Sequence, residues 1–353
     1  MASRSGRRPR LQDVAARVGV STGTVSLVLN NSAGPSAATR ERVLAAAADL
    51  GYRPDRTASL LARRRSCLIG AMLDVRNTFH AELVADLHDA AEAAGYDLLL
   101  STITPTRDSR RAIETLMDSR CEALILLGPD APSSRLTSLG EQMPVVVIGR
   151  RLRSTSVDVI RSADDHGVAA AVDHLVGLGH RRIAYADGLR GTIATDRRTG
   201  YLRGLRTHGM ADAAMVVAGG QTELSGSRAA RELLAAEEPP TAVIAFNDRA
   251  ALGLLDGLLR AGVRVPEDLS VVGYDDSPSS QLPQVDLTTV SQDTRRQAEE
   301  AVAAVLERLD SGRTERREVV LEPRLVVRRT TAPPRTTAGL GLVSEAGAES
   351  TEP

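Results

Sequence analysis

The chain has 353 residues, enough for two or three domains with a substantial core. Its formal net charge is −1, yet residues 1–65 carry 12 arginines against 4 acidic residues and the remainder carries 32 against 41, so a polyanionic partner is expected at the N-terminal end alone. Two cysteines exclude a disulfide framework and fit a reducing compartment, the basic N-terminus lacks the apolar stretch of a signal peptide, and no apolar run is long enough to span a membrane.

Residues 1–9 read as a disordered basic arm. In LQDVAARVGVSTGTVSLVLN, residues 11–30, Leu11, Val14, Ala15 and Val18 recur at helical spacing, and Gly19 suits a C-terminal cap. Ser21 can cap a second helix whose inward face is Val25, Val28 and Leu29. Its outer face is small and polar: Thr22, Gly23 and Ser26. Such a face suits a DNA major groove, although helix pairs of this kind also open larger folds. Ser36 caps a third helix, Ala37 to Leu50, closed by Gly51, so residues 10–54 form a helix-turn-helix headpiece.

Residues 55–66 form a linker or hinge helix that is rich in arginine yet carries adjacent Leu60 and Leu61. Paired leucines there serve either as a wedge in a DNA minor groove or as a dock on the following domain. From Cys67 onward, apolar runs alternate with amphipathic helices. The runs CLIGAML, YDLLLSTI, EALILLG and PVVVIGR read as strands of one doubly wound α/β lobe. The runs RRIAYADG, MVVAGG, TAVIAFND and LSVVGYDD read as strands of a second. LTTVSQD crosses back, a long helix follows, and EVVLEPRLVVRRT closes the core. The core thus spans 67–331, with lobe 1 at about 67–162 and 291–323 and lobe 2 at about 163–290 and 324–331. Residues 332–353 read as a disordered tail. Ligands are expected in the cleft beyond the carboxyl ends of the strands.

The ordered set DVAARVGVSTGTVSLVLN, TRERVLAAAADLGYRPD, ASLLARRRSCLIG, GHRRIAY, AFNDRAALG, VVGYDDSP and LTTVSQD resembles the lactose-repressor/galactose-repressor (LacI/GalR) family of bacterial transcription regulators, over about Leu11 to Arg329. The resemblance implies a ligand-responsive repressor, cytoplasmic and nucleoid-associated. It would bind a near-palindromic DNA operator as a homodimer, with a sugar-like effector between two periplasmic-binding-protein-like lobes and no cofactor or metal. It places Thr22, Gly23 and Leu27 at base edges, and Ser21, Thr24, Ser26, Asn30 and Arg40 at the DNA backbone. Leu61 stands at the minor-groove position, flanked by Arg56 and Ala58. For the effector it implies Phe79, Arg197, Asn247 and Asp275. Arg150, at the end of strand PVVVIG, is either an extra effector contact or one side of an interlobe salt bridge.

Two features depart from the family pattern. Gly23 offers no side chain, so direct readout leans on Thr22 and on Leu27 against a thymine methyl. No aromatic residue stands near Gln221, which argues against stacking on a flat ligand. A periplasmic-type sugar-binding protein would share the lobes, but would be expected to carry a signal peptide and no basic helical head. An enzyme would be expected to show G-x-S-x-G, a P-loop or H-E-x-x-H, and none occurs. The six histidines are scattered.

Overall fold

In the N-terminal unit, three short helices surround one small aliphatic core. The computed structural model describes residues 9–29, 33–52 and 65–335, and the chain divides into two compact units at Ser66/Cys67. Helix α1 (Leu11–Val18) opens with the Arg10 N–H donating to Asp13 Oδ2 at 2.6 Å and ends at Gly19, whose φ of 73° is open to glycine without strain. Helix α2 (Thr22–Leu29) is capped by Ser21 Oγ, which accepts from the Thr24 N–H at 3.0 Å. Helix α3 (Ala37–Leu50) is capped in the same way by Ser36. Val14, Val18, Val25, Val28 and Val43 meet in the core, and Arg40 and Arg42 donate to the carbonyls of Val28 and Val18. The described hinge residues are Arg65 and Ser66; 53–64 lie outside the described residues.

The second unit holds two six-stranded sheets. Lobe 1 contains β1 (Leu68–Asp74), β2 (Asp97–Ile103), β3 (Ala123–Leu127), β4 (Val145–Ile148) and β5 (Asp158–Ser162). They pair parallel in the order β5-β4-β3-β1-β2. Helices α4 (Thr78–Ala93), α5 (Ser109–Asp118) and α6 (Ser133–Gly140) join the strands. Strand β3 shows why the apolar runs are continuous. Ala123, Ile125 and Leu127 pack on one face of the sheet, and Leu124 and Leu126 on the other.

Lobe 2 contains β6 (Ile183–Asp187), β7 (Met215–Ala218), β8 (Ala242–Ala245), β9 (Ser270–Asp275) and β10 (Thr288–Ser291), in the order β10-β9-β8-β6-β7. Its helices are α7 (Asp164–Gly177), α8 (Thr192–Thr207), α9 (Glu223–Leu234) and α10 (Asp248–Arg260). Helix α11 (Thr294–Asp310) then returns to lobe 1.

Two sequence expectations change and one gains detail. PVVVIGR is followed by a further strand, β5, which its polar letters DVIRS conceal. Asp158 is fully buried there because Arg308 and Arg313 reach it at 2.8 and 2.6 Å. Burial raises its carboxyl, but these hydrogen bonds outweigh burial and hold it below its ordinary value. Secondly, the closing segment, divided between the lobes at 323/324 as the sequence bounds have it, forms one strand in each sheet. β11 (Glu318–Leu321) adds parallel to β5, and β12 (Arg324–Val326) adds antiparallel to β10. Finally, residues 332–335 of the expected disordered tail lie against lobe 2: the Ala332 carbonyl meets His180 Nε2 at 2.9 Å, and Arg335 pairs with Asp268 at 2.8 Å. Residues 336–353 lie outside the described residues.

Helices α9 and α10 approach backbone to backbone. A Cβ on Gly253 would stand 1.9 Å from the Glu223 carbonyl oxygen, and one on Gly226 2.0 Å from that of Ala250. Gly253→Ala is therefore expected to cost about 1–3 kcal/mol by forcing the helices apart, read as a lowered midpoint in denaturant. An unchanged midpoint would show that the pair separates without cost.

Candidate functional site

Two faces carry the residues singled out from the sequence. On α2, burial of Val25 and Val28 turns Thr22 and Gly23 outward, and Leu27 is 43 % exposed. Ser21 and Thr24 share a hydroxyl pair at 2.9 Å, and Arg40 reaches the Val28 carbonyl at 3.3 Å. Asn30, Arg56, Ala58 and Leu61 lie outside the described residues.

The second face is the floor of lobe 2, at the carboxyl ends of its strands. Strand β6 delivers Asp187, β8 leads into Phe246 and Asn247, β9 ends at Asp275, and β10 leads into Gln292. Helix α8 brings Arg197 among them, 4 % exposed. Its Nε donates to Asp164 Oδ1 at 2.8 Å, Nη1 donates to the Phe246 carbonyl, and Nη2 stands 3.6 Å from Asp275 Oδ1. The guanidinium lies 3.5 Å from the Tyr274 ring centroid and 4.7 Å from that of Phe246.

Asp275 is held in turn by Gln292 Nε2 at 2.7 Å. With Asp276 it occupies the left-handed region, at φ 117° and 59°, a strained turn of the kind that clusters at ligand sites. Asn247 spends its Oδ1 on capping α10, where it accepts from the Ala250 N–H at 2.9 Å, and its Nδ2 reaches the Gln221 carbonyl at 3.4 Å. Arg197, Asn247 and Asp275 are thus brought to one floor.

The floor is crowded with carboxylates. Burial pushes Asp275 up to about 8 against the opposing pull of Arg197, with Asp248 adding to the rise. Burial also pushes Asp248 up to about 6, although Thr289 and Ser277 donate to it at 2.6 and 2.7 Å. Glu82, on α4 of lobe 1, is pushed up to about 7 by burial and by the charges of Asp248 and Asp276 across the cleft.

The sign of the linkage follows. Asp275 and Asp248 bind protons more tightly folded than unfolded, so the stability linked to them is complete below pH about 4 and is lost as pH rises through about 6 and 8. Thermal midpoints of the core unit are expected to fall from pH 5 to 9, and Asp275→Asn is expected to flatten that slope. An unaltered slope in the variant would exclude Asp275 as its source.

Two expected effector residues stand elsewhere. Phe79 is buried in the lobe 1 core beside Leu83 and Ile125, because Asn77 caps α4 at the Phe79 N–H and turns the ring inward. Arg150 donates to the carbonyls of Pro129 and Ala131 at 2.6 and 3.1 Å, within lobe 1. Its neighbour Arg151 makes the interlobe ion pairs, with Asp196 at 2.9 Å and Asp165 at 3.4 Å. On α10, Arg249 pairs with Glu223 at 2.6 Å and donates to the Arg76 carbonyl of lobe 1, forming a second clasp.

Sequence reasoning missed Asp164, Asp248, Tyr274 and Gln292. The last three stand inside the segments AFNDRAALG, VVGYDDSP and LTTVSQD, beside the residues that were read. Asp164 carried no local signal. Among the described residues no cluster of His, Cys, Asp or Glu suits a metal, and no helix is long and apolar enough to cross a membrane.

Comparison with known proteins fits both faces. Residues 10–55 match the model of bacterial regulatory proteins of the lacI family, and residues 172–331 match a periplasmic binding protein-like domain. The lactose operon repressor of Escherichia coli (strain K12) is 32 % identical over 332 residues, which cover 92 % of this chain and 91 % of that one. A lac repressor dimer solved with operator and the anti-inducer ONPF is 30 % identical, with a TM-score of 0.78 and coverage of 92 % of this chain and 100 % of that one. The regulator CelR solved with cellobiose is 31 % identical, with a TM-score of 0.68 and the same coverage. These relatives are transcriptional regulators rather than enzymes. With its helix-turn-helix unit ahead of two periplasmic-binding-protein-like lobes, this chain belongs to the lacI family of bacterial transcriptional regulators.

Proposed function

We propose that the protein is a repressor that binds a near-palindromic operator as a homodimer on bacterial chromosomal DNA, and that a small sugar-like effector in the interlobe cleft sets its operator affinity. Thr22, Gly23 and Leu27 of α2 face the base edges. Ser21, Thr24, Ser26, Asn30 and Arg40 hold the backbone. Leu61 enters the minor groove with Arg56 and Ala58 beside it. Arg197, Asn247 and Asp275 hold the effector, and Phe79 and Arg150 support lobe 1 behind it.

The observation that carries the reading is the Arg197 cluster: one guanidinium, one amide and several carboxylates at the strand ends, a set that matches hydroxyl donors and acceptors. The Arg151 and Arg249 clasps cross the cleft, so a ligand that alters them shifts the balance between lobe arrangements. Linkage then makes effector and operator affinities reciprocal. The test of the DNA half is Leu61→Ala. Operator affinity should fall by about tenfold or more while nonspecific DNA affinity holds, because a wedge acts only where the duplex is kinked. Equal loss on both, measured by fluorescence anisotropy, would remove the wedge.

A further inference from the structure

Among the described residues, the floor of lobe 2 holds three buried polar atoms without a hydrogen-bond partner, Tyr274 Oη and, together on one strand, Tyr185 Oη and Asp187 Oδ1. Tyr185 is fully buried and Asp187 is 4 % exposed, and buried groups of this kind ordinarily find partners. Both stand on β6, two residues apart and therefore on one face of the strand. Tyr185 shares a buried cluster with Tyr201 and with Tyr274, whose ring lies 3.5 Å from the Arg197 guanidinium, so it stands on the Arg197 side of the sheet; burial raises its phenol. Its ring is fixed by stacking on Tyr201 at 5.4 Å between centroids, so the hydroxyl has little freedom to seek a partner elsewhere. Asp187 Oδ2 is taken by Arg198 at 2.6 Å, which leaves Oδ1 as an acceptor.

We infer that Tyr185 and Asp187 form a subsite behind Arg197 that takes a hydroxyl or amine of the effector, and that the cleft excludes anionic ligands such as sugar phosphates and sugar acids. The inference rests on the cleft reading above and adds the ligand class to it. A hydroxyl can accept from Tyr185 and donate to Asp187, whereas an ammonium donates to both. A carboxylate or phosphate in this subsite would set a second negative charge against the Asp187 carboxylate. The buried guanidinium of Arg197 is already balanced by Asp164 and donates to the Phe246 carbonyl, so it brings no surplus positive charge to receive an anion. Asp164 and Asp275 stand 2.8 and 3.6 Å from this guanidinium, and Asp187 is paired with Arg198, so among its described residues the floor has no unopposed cation to hold an anion.

The test titrates the full-length protein with three sets of probes: neutral sugars (glucose, ribose, cellobiose), glucosamine, and anionic sugars (glucose 6-phosphate, ribose 5-phosphate, gluconate). Binding is expected only within the first two sets. Tyr185→Phe keeps the ring against Tyr201 and removes an unpartnered buried hydroxyl. The free protein should hold or gain stability while affinity for the bound probe falls about tenfold, a pair of opposite signs that a purely structural role would not give. Asp187→Asn should weaken the same probe. Hydrogen exchange with the probe bound separates the two readings. Protection at residues 246–249 and 274–277, with an anionic probe bound or with affinity unchanged in Tyr185→Phe, overturns this inference alone. Protection elsewhere overturns the cleft reading. No binding in the first two sets overturns the inference as well.

Discussion

Arg197→Ala is expected to lower the stability of the core unit by about 3–5 kcal/mol, the range for breaking a buried ion pair by removing one partner, and to abolish any effector response. The reason is what the alanine leaves behind. Asp164, itself 4 % exposed, loses its 2.8 Å partner, and Asp275 loses the cation that opposes its rise in pKa. The Phe246 carbonyl loses its donor, and the Tyr274 and Phe246 rings lose the guanidinium between them. Arg197→Lys keeps the charge but cannot reach Asp164, Asp275 and the Phe246 carbonyl at once, so it should fall between wild type and alanine. Denaturant midpoints together with effector-dependent operator anisotropy check both effects. A stable Arg197→Ala protein with a normal effector response would remove Arg197 from the site and empty the proposal of its central group.

Operator affinity is expected to fall by about 10³–10⁵ between 50 and 200 mM salt, the range for a protein that meets about six to ten phosphates. The basis is the asymmetry of charge, 12 arginines against 4 acidic residues in residues 1–65 and an acidic remainder. On the proposed assignment of α2 to the base edges, Gly23 has no side chain and Leu27 offers only apolar contact, so phosphate neutralisation and DNA shape are expected to supply much of the binding free energy. Anisotropy on operator and on unrelated duplex over a salt series gives the two slopes. A flat operator slope would contradict a phosphate-binding headpiece. Similar slopes with a large affinity gap at every salt would place specificity outside the phosphate contacts.

The elements differed in how openly they declared themselves. Helices α1 to α3 were readable because period, caps and glycine stops agree at each end, and local physics settles each of these. Strands β3 and β8 were readable because a sheet buried on both faces demands continuous apolar runs. Strand β5 was not, because its buried Asp158 becomes tolerable only when Arg308 and Arg313 arrive from more than a hundred residues away. Asp164 was hidden for the same reason, since its partner Arg197 lies 33 residues on.

Phe79 and Arg150 show what packing adds. Resemblance marked Phe79 and a strand end marked Arg150; Phe79 packs in the lobe 1 core after the Asn77 cap, and Arg150 donates to the carbonyls of Pro129 and Ala131. The sequence by itself determined the headpiece and the two α/β lobes, because periodicity, capping and apolar runs are local or depend on topology alone; Arg197, Asn247 and Asp275 were marked by resemblance. Only the tertiary structure decided which arginines bridge the lobes, which carboxylates share the Arg197 guanidinium, and that Tyr185 and Asp187 are left with unmet hydrogen bonds. Those outcomes depend on distances and on desolvation between groups far apart in the chain, which no local pattern encodes.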